Sequence, residues 1–151
     1  MGKNVASIKI GLDTNCMVQN PYNAVMCLGH LNGVVSMVTP RDENLKPVVT
    51  MFCHNSPISN LVVDKTGKYL LTTSVDQSIK VWDIRKTYQP ITEKKYKEAI
   101  KGVDISQKGV VAIATKNEVK VWGKLDDLKK GKEKKKIILT NRFIYECKIT
   151  N

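Results

Sequence analysis

The sequence predicts an all-β chain, a segment of a β-propeller with about three four-stranded antiparallel blades in an incomplete ring. Three observations predict it. Two similar segments, Ser78-Ile79-Lys80-Val81-Trp82-Asp83 and Glu118-Val119-Lys120-Val121-Trp122, set their tryptophans 40 residues apart (122 − 82). That interval is the period of one blade in a repeating β architecture. Short apolar runs, rich in β-branched residues and bounded by turn residues, precede each tryptophan. Single strand-like runs are left over at both ends of the repeats, at 5–10 and 143–149.

The first unit (about 12–53) opens with a strand at 15–18. Asn20-Pro21-Tyr22-Asn23 makes the turn, because Pro presets φ and Asn tolerates tight backbone angles. Strands are expected at 24–28 and 34–38, joined by Leu31-Asn32-Gly33, with Met37 at the tryptophan position and an outer strand at 48–52. The second unit (about 54–97) has strands at 58–63, 69–74 and 79–83, and a poorly apolar outer strand at 91–94. Its turn Asp64-Lys65-Thr66-Gly67-Lys68 uses Gly for the awkward φ. The third (about 98–141) has strands at 102–106, 110–115 and 119–122, with 137–139 outermost. Residues 124–136 form a Lys-rich insertion without apolar periodicity, expected as an exposed loop. The runs at 5–10 and 143–149 fit strands of neighbouring blades. A propeller usually closes with four to eight blades, and fewer leave open edges. The sequence therefore predicts a fragment, or a chain completed by other copies or by a partner.

The 151 residues suffice for one domain with a real core. Twenty-five basic against 14 acidic residues give a net charge of +11. Such an excess favours acidic partners, RNA first among them, with an acidic protein surface or an anionic membrane also fitting. Cys16, Cys27, Cys53 and Cys147 form no C-x-x-C pair, and each lies in an apolar stretch. They are expected to be reduced core thiols rather than a metal or redox site. No cofactor and no metal are expected. Met1-Gly2-Lys3-Asn4 leads to no apolar signal region. Residues 14–40 lack charge, but Asn, Gln, Pro, Gly and His interrupt them, so no transmembrane helix is expected there. The expectation is an intracellular, soluble chain with neither membrane nor small-molecule partner.

The tryptophan interval resembles that of WD40 repeats. Within it, His54, Ser74, Asp76 and Trp82 resemble the WD40 structural tetrad, in which indole, hydroxyl, imidazole and carboxylate bond in a buried chain. The same types could suggest a hydrolase triad, but a triad needs an exposed nucleophile and an oxyanion hole. Ser74 falls inside a strand and no G-x-S-x-G elbow exists. The structural role is therefore expected, and no catalytic residue. His30 is expected in a turn. Gly67-Lys68 is not a P-loop, since Tyr69 follows. Lys124, Lys129, Lys130, Lys132, Lys134, Lys135 and Lys136 are the candidates for RNA-phosphate contact. Lysine offers point charges without base-specific geometry, so it would position RNA rather than read it. A merely solvated loop, or a nuclear localisation signal, is the alternative.

Residues 17–36, from Met17-Val18-Gln19-Asn20-Pro21-Tyr22 to Gly33-Val34-Val35-Ser36, are more specific than a generic repeat, as is Lys86-Thr87-Tyr88-Gln89-Pro90-Ile91. Both resemble the nucleolar WD40 protein family of the small-subunit processome (the U-three-associated protein seven, or BING-four, family). The likeness extends over 62–69 and 99–122 and corresponds to the C-terminal half of that family's propeller. It implies a non-enzymatic scaffold in pre-18S ribosomal RNA maturation, located in the nucleolus. Implied partners are processome proteins and pre-ribosomal RNA or a small nucleolar ribonucleoprotein. A generic WD40 protein–protein adaptor without RNA contact is the other reading.

Overall fold

The computed structural model describes residues 12–40, 46–85 and 89–122, and the strand at 135–138. Three four-stranded sheets follow one another along the chain. The first holds β1 (Thr14–Gln19), β2 (Met26–His30), β3 (Val34–Val38) and β4 (Pro47–Phe52). The second holds β5 (Ile58–Val63), β6 (Tyr69–Ser74), β7 (Ser78–Asp83) and β8 (Pro90–Lys95). The third holds β9 (Gly102–Ile105), β10 (Val111–Ala114), β11 (Glu118–Trp122) and β12 (Lys135–Ile138). Each sheet is an antiparallel meander in which sequence neighbours pair. No helix occurs among the described residues, and none is long and apolar enough to cross a membrane.

Turn chemistry explains where the strands stop. The Asp64 carboxylate accepts from the amides of Thr66, Lys68 and Tyr69 at 3.1, 2.8 and 2.7 Å. That closes the β5–β6 turn, with Gly67 at φ +67°. Between β2 and β3, Gly33 has φ +80° and its amide bonds the His30 carbonyl. β2 begins two residues later than expected. Ala24 has φ +59°, and Ala24 and Asn20 exchange backbone bonds across the turn, so the turn extends past Asn23. β12 begins at Lys135, two residues earlier than expected, so Lys135 and Lys136 belong to a strand and not to the loop. The strand-like runs at 5–10 and 143–149 lie outside the described residues.

The sheets meet through their first strands: β5 packs on β1 and β2 on one side and on β9 on the other. β6 is buried at five of its six positions, whereas the outermost strand β8 is not fully buried at any. Sheets one and two share a core of Cys27, Met37 and Met51 against Ile58, Leu70 and Trp82. Sheets two and three share Leu71, Ile79 and Val81 against Val111, Ile113 and Trp122. Covering one large aromatic such as Trp82 contributes roughly 4–6 kcal/mol of gross hydrophobic free energy.

The register corrects one assignment. Leu70 pairs with Trp82, and the corresponding pair in the first sheet is Met26 with Val38. Val38 therefore stands at the tryptophan position. Met37, one residue earlier, points to the opposite face, because side chains alternate along a strand. It packs into the same core as Trp82 from the facing sheet.

Candidate functional site

Five side chains of the second sheet and its entry form one hydrogen-bonded chain. Trp82 on β7 donates its indole N–H to Thr72 Oγ1 on β6 at 3.0 Å. Thr72 Oγ1 lies 2.7 Å from His54 Nε2. His54 Nδ1 lies 2.9 Å from Ser78 Oγ. The Ser78 hydroxyl donates to Asp76 Oδ1, and Asp76 Oδ2 stands 3.7 Å from His54 Nδ1. Only one set of directions satisfies every group. A carboxylate only accepts, so Ser78 gives Asp76 its proton and accepts from His54 Nδ1–H. Neutral His54 Nε2 then accepts from the Thr72 hydroxyl, whose oxygen accepts from the indole.

Ser74 is not a member of this chain. Its hydroxyl donates to the carbonyls of Ser56 and Pro57 at 3.1 and 2.9 Å. The register gives the reason. Thr72 is two residues from Leu70, the direct partner of Trp82, and so is the diagonal neighbour of the indole. Ser74 is four residues from Leu70, roughly 13 Å along the strand. Sequence reasoning missed both Thr72 and Ser78. Counting diagonals back from Trp82 across the β6–β7 hairpin would have found Thr72.

Electrostatics agree with a neutral imidazole. Burial holds the His54 pKa below its ordinary value, against the opposing pull of the Asp76 carboxylate. Burial alone would push the Asp76 carboxyl up, but hydrogen bonds from the Ser78 hydroxyl and amide hold it below the ordinary range. Trp82, Thr72, His54 and Ser78 are all buried. Neither hydroxyl is an open nucleophile, so the arrangement braces the sheet and has no triad geometry.

The other sheets carry parts of the same device. His30 is the buried last residue of β2, not a turn residue. Its Nε2 lies 2.9 Å from Ser36 Oγ and its Nδ1 3.2 Å from Thr14 Oγ1. Desolvation lowers its pKa too. In the third sheet Trp122 pairs with Val111, which places Ile113 where Thr72 stands in the second. An aliphatic side chain cannot accept a hydrogen bond, and Trp122 Nε1 is buried without an acceptor among the described residues.

Lys124, Lys129, Lys130, Lys132 and Lys134 lie outside the described residues; Lys135 and Lys136 fall on β12, opposite Val121 and Lys120. A second group of cations was not foreseen. Lys94, Lys95, Lys97 and Lys120, with Glu98 and Glu118, line a recess of about 340 Å³ between sheets two and three. Lys94 Nζ sits 5.2 Å from the Trp122 ring centroid and Lys120 Nζ 5.2 Å from that of Tyr96. Among the described residues, no group of three or more His, Cys, Asp or Glu could hold a metal ion.

Comparison with known proteins follows the same lines. Residues 45–83 match the family described as "WD domain, G-beta repeat". WD repeat-containing protein 46 from Homo sapiens is 34% identical over 123 residues, covering 81% of this chain and 20% of that protein. U3 small nucleolar RNA-associated protein 7 from Saccharomyces cerevisiae is 37% identical over 109 residues, 72% of this chain and 19% of its own length. The chain thus spans about a fifth of the length of these curated relatives. A chain in the crystal structure of the Mitotic Checkpoint Complex superposes with a TM-score of 0.70 at 20% identity, covering 83% of this chain and 39% of that one. The Cps50 (Swd1) β-propeller domain of Myceliophteria thermophila gives 0.66 at 17% identity, covering 78% and 37%. These two likenesses speak to the fold.

Proposed function

This chain carries WD40 repeats and is a homologue of WD repeat-containing protein 46 and U3 small nucleolar RNA-associated protein 7 over most of its length; from that premise we propose that it is a non-catalytic scaffold in small ribosomal subunit biogenesis. It works in the nucleolus, in the small-subunit processome, holding assembly proteins and pre-ribosomal RNA or a small nucleolar ribonucleoprotein. The observation that carries this reading is the 37% identity with a relative named for association with U3 small nucleolar RNA. The mechanism is rigid presentation. Meander sheets braced by buried cores, and by the Trp82–Thr72–His54–Ser78–Asp76 chain, hold turns and edges at fixed positions.

The charge of +11 supports contact with phosphate. Lys124, Lys129, Lys130, Lys132, Lys134, Lys135 and Lys136 supply one cluster, and the recess bearing Lys94, Lys95 and Lys97 a second. Titration with a pre-ribosomal RNA fragment at two salt concentrations tests this. Affinity should fall steeply with salt, and neutralising the lysines of 124–136 should flatten that dependence. An affinity indifferent to that neutralisation leaves the adaptor reading, protein contact alone, in its place.

A further inference from the structure

We infer that the groove between the first and second sheets seats an apolar side chain of an acidic peptide segment from a partner protein. The groove holds about 760 Å³, within the range of small-ligand pockets. It lies at the end of the sheets where the β1–β2, β3–β4, β5–β6 and β7–β8 connections gather, since Tyr22, Thr39, Gly67 and Ile84 all line it. Its origin is a volume deficit. The register that matches Met26 to Leu70 matches Val25 to Tyr69 and Cys27 to Leu71. Tyr69 and Leu71 fill the corresponding space between sheets two and three. Val25 and Cys27 are smaller and leave their interface open, with Met37 and Val49 as further apolar wall.

Charge selects the occupant. Lys68 and Arg85 stand on the rim, and no carboxylate lines the groove among the described residues. The neighbouring carboxylates are committed: Asp64 to three backbone amides, Asp83 to Arg85 at 2.8 Å. An anionic flank is therefore attracted, and an aliphatic or thioether anchor matches the floor. The floor offers no aromatic plane, which a stacked base needs. Tyr22 and Val48 border the opening, 80% and 64% exposed. The inference does not depend on RNA contact elsewhere.

Fluorescence polarisation on this 151-residue chain tests it. The probe is a short labelled peptide with a central leucine flanked by aspartates and glutamates. Saturable binding is expected, and replacing the central leucine by alanine should weaken it at least about tenfold. Amidating the acidic side chains should weaken it and remove its salt dependence. Val25→Tyr, which fills the groove with the second sheet's own residue, should abolish binding while circular dichroism is unchanged. Lys68→Glu, on the surface, should weaken binding without touching the core. The inference is overturned if Val25→Tyr and Lys68→Glu both bind as the parent does. It is equally overturned if Val25→Tyr abolishes binding of a single-stranded RNA instead, or abolishes self-association of the chain.

Discussion

Thr72 and Ser74 share one face of β6, yet they do different things. Thr72 links an indole to an imidazole, while Ser74 ties its strand to the carbonyls of Ser56 and Pro57. Thr72→Val leaves two buried partners unsatisfied and should cost about 2–4 kcal/mol, counting 1–3 for each stranded group. Ser74→Ala removes a donor from backbone acceptors and should cost about 0.5–1.5 kcal/mol. Urea unfolding of the two variants side by side checks the order; equal losses would return Ser74 to the bracing chain. The histidines set a pH limit. His30 and His54 have folded pKa values below the ordinary 6.5, so the unfolded chain binds more protons. Stability should be full above about pH 6.5 and fall as pH drops below it. The thiols set another limit. Burial pushes Cys16 and Cys27 up to about 11 and Cys53 to about 12, from 9.0. Their contribution is intact below pH 9.0 and declines above it, as thiols in the unfolded chain ionise first. A stability–pH curve shaped as a plateau between these limits is the expected result. At this scale the residue types were legible, but not their partners. A hydroxyl two positions away in sequence looked equivalent, and only pairing register separates Thr72 from Ser74.

At the scale of elements, the turns carry a sharper constraint than the strands. Gly33 and Gly109 have nearly the same backbone angles, φ +80° and +77°. A Cβ at Gly33 would overlap the His54 carbonyl, whereas one at Gly109 would meet nothing within 4 Å. Gly109→Ala should therefore cost only the left-handed penalty, about 1–2 kcal/mol. Gly33→Ala should cost clearly more, and should also disturb His54 at the start of the bracing chain. Thermal melts of both variants test the difference. Strands β3, β5 and β6 were legible to the residue because β-branched runs end at turn residues there. The start of β2 was not, because Ala24 adopts a left-handed conformation that its side chain does not advertise. Met37 was misplaced by counting a repeat length, when a one-residue offset reverses the face. The groove beside Val25 and Cys27 was invisible for the same reason, since it exists only once two sheets are registered against each other.

For the whole molecule, burial is graded from the middle strands outward. β6 and β10 are almost wholly buried, whereas β4 and β8 expose alternate side chains. Amide hydrogen exchange should therefore be slowest in β6 and β10 and fastest in β4 and β8. Uniform protection across all four strands of a sheet would contradict this grading. The meander itself has a further consequence. Every strand pairs only with its neighbour along the chain, so contact order stays low for a protein made wholly of strands. Loop-closure entropy is small at each step. Each hairpin can form as soon as its second strand is synthesised, and each completed sheet becomes the template on which the next one docks.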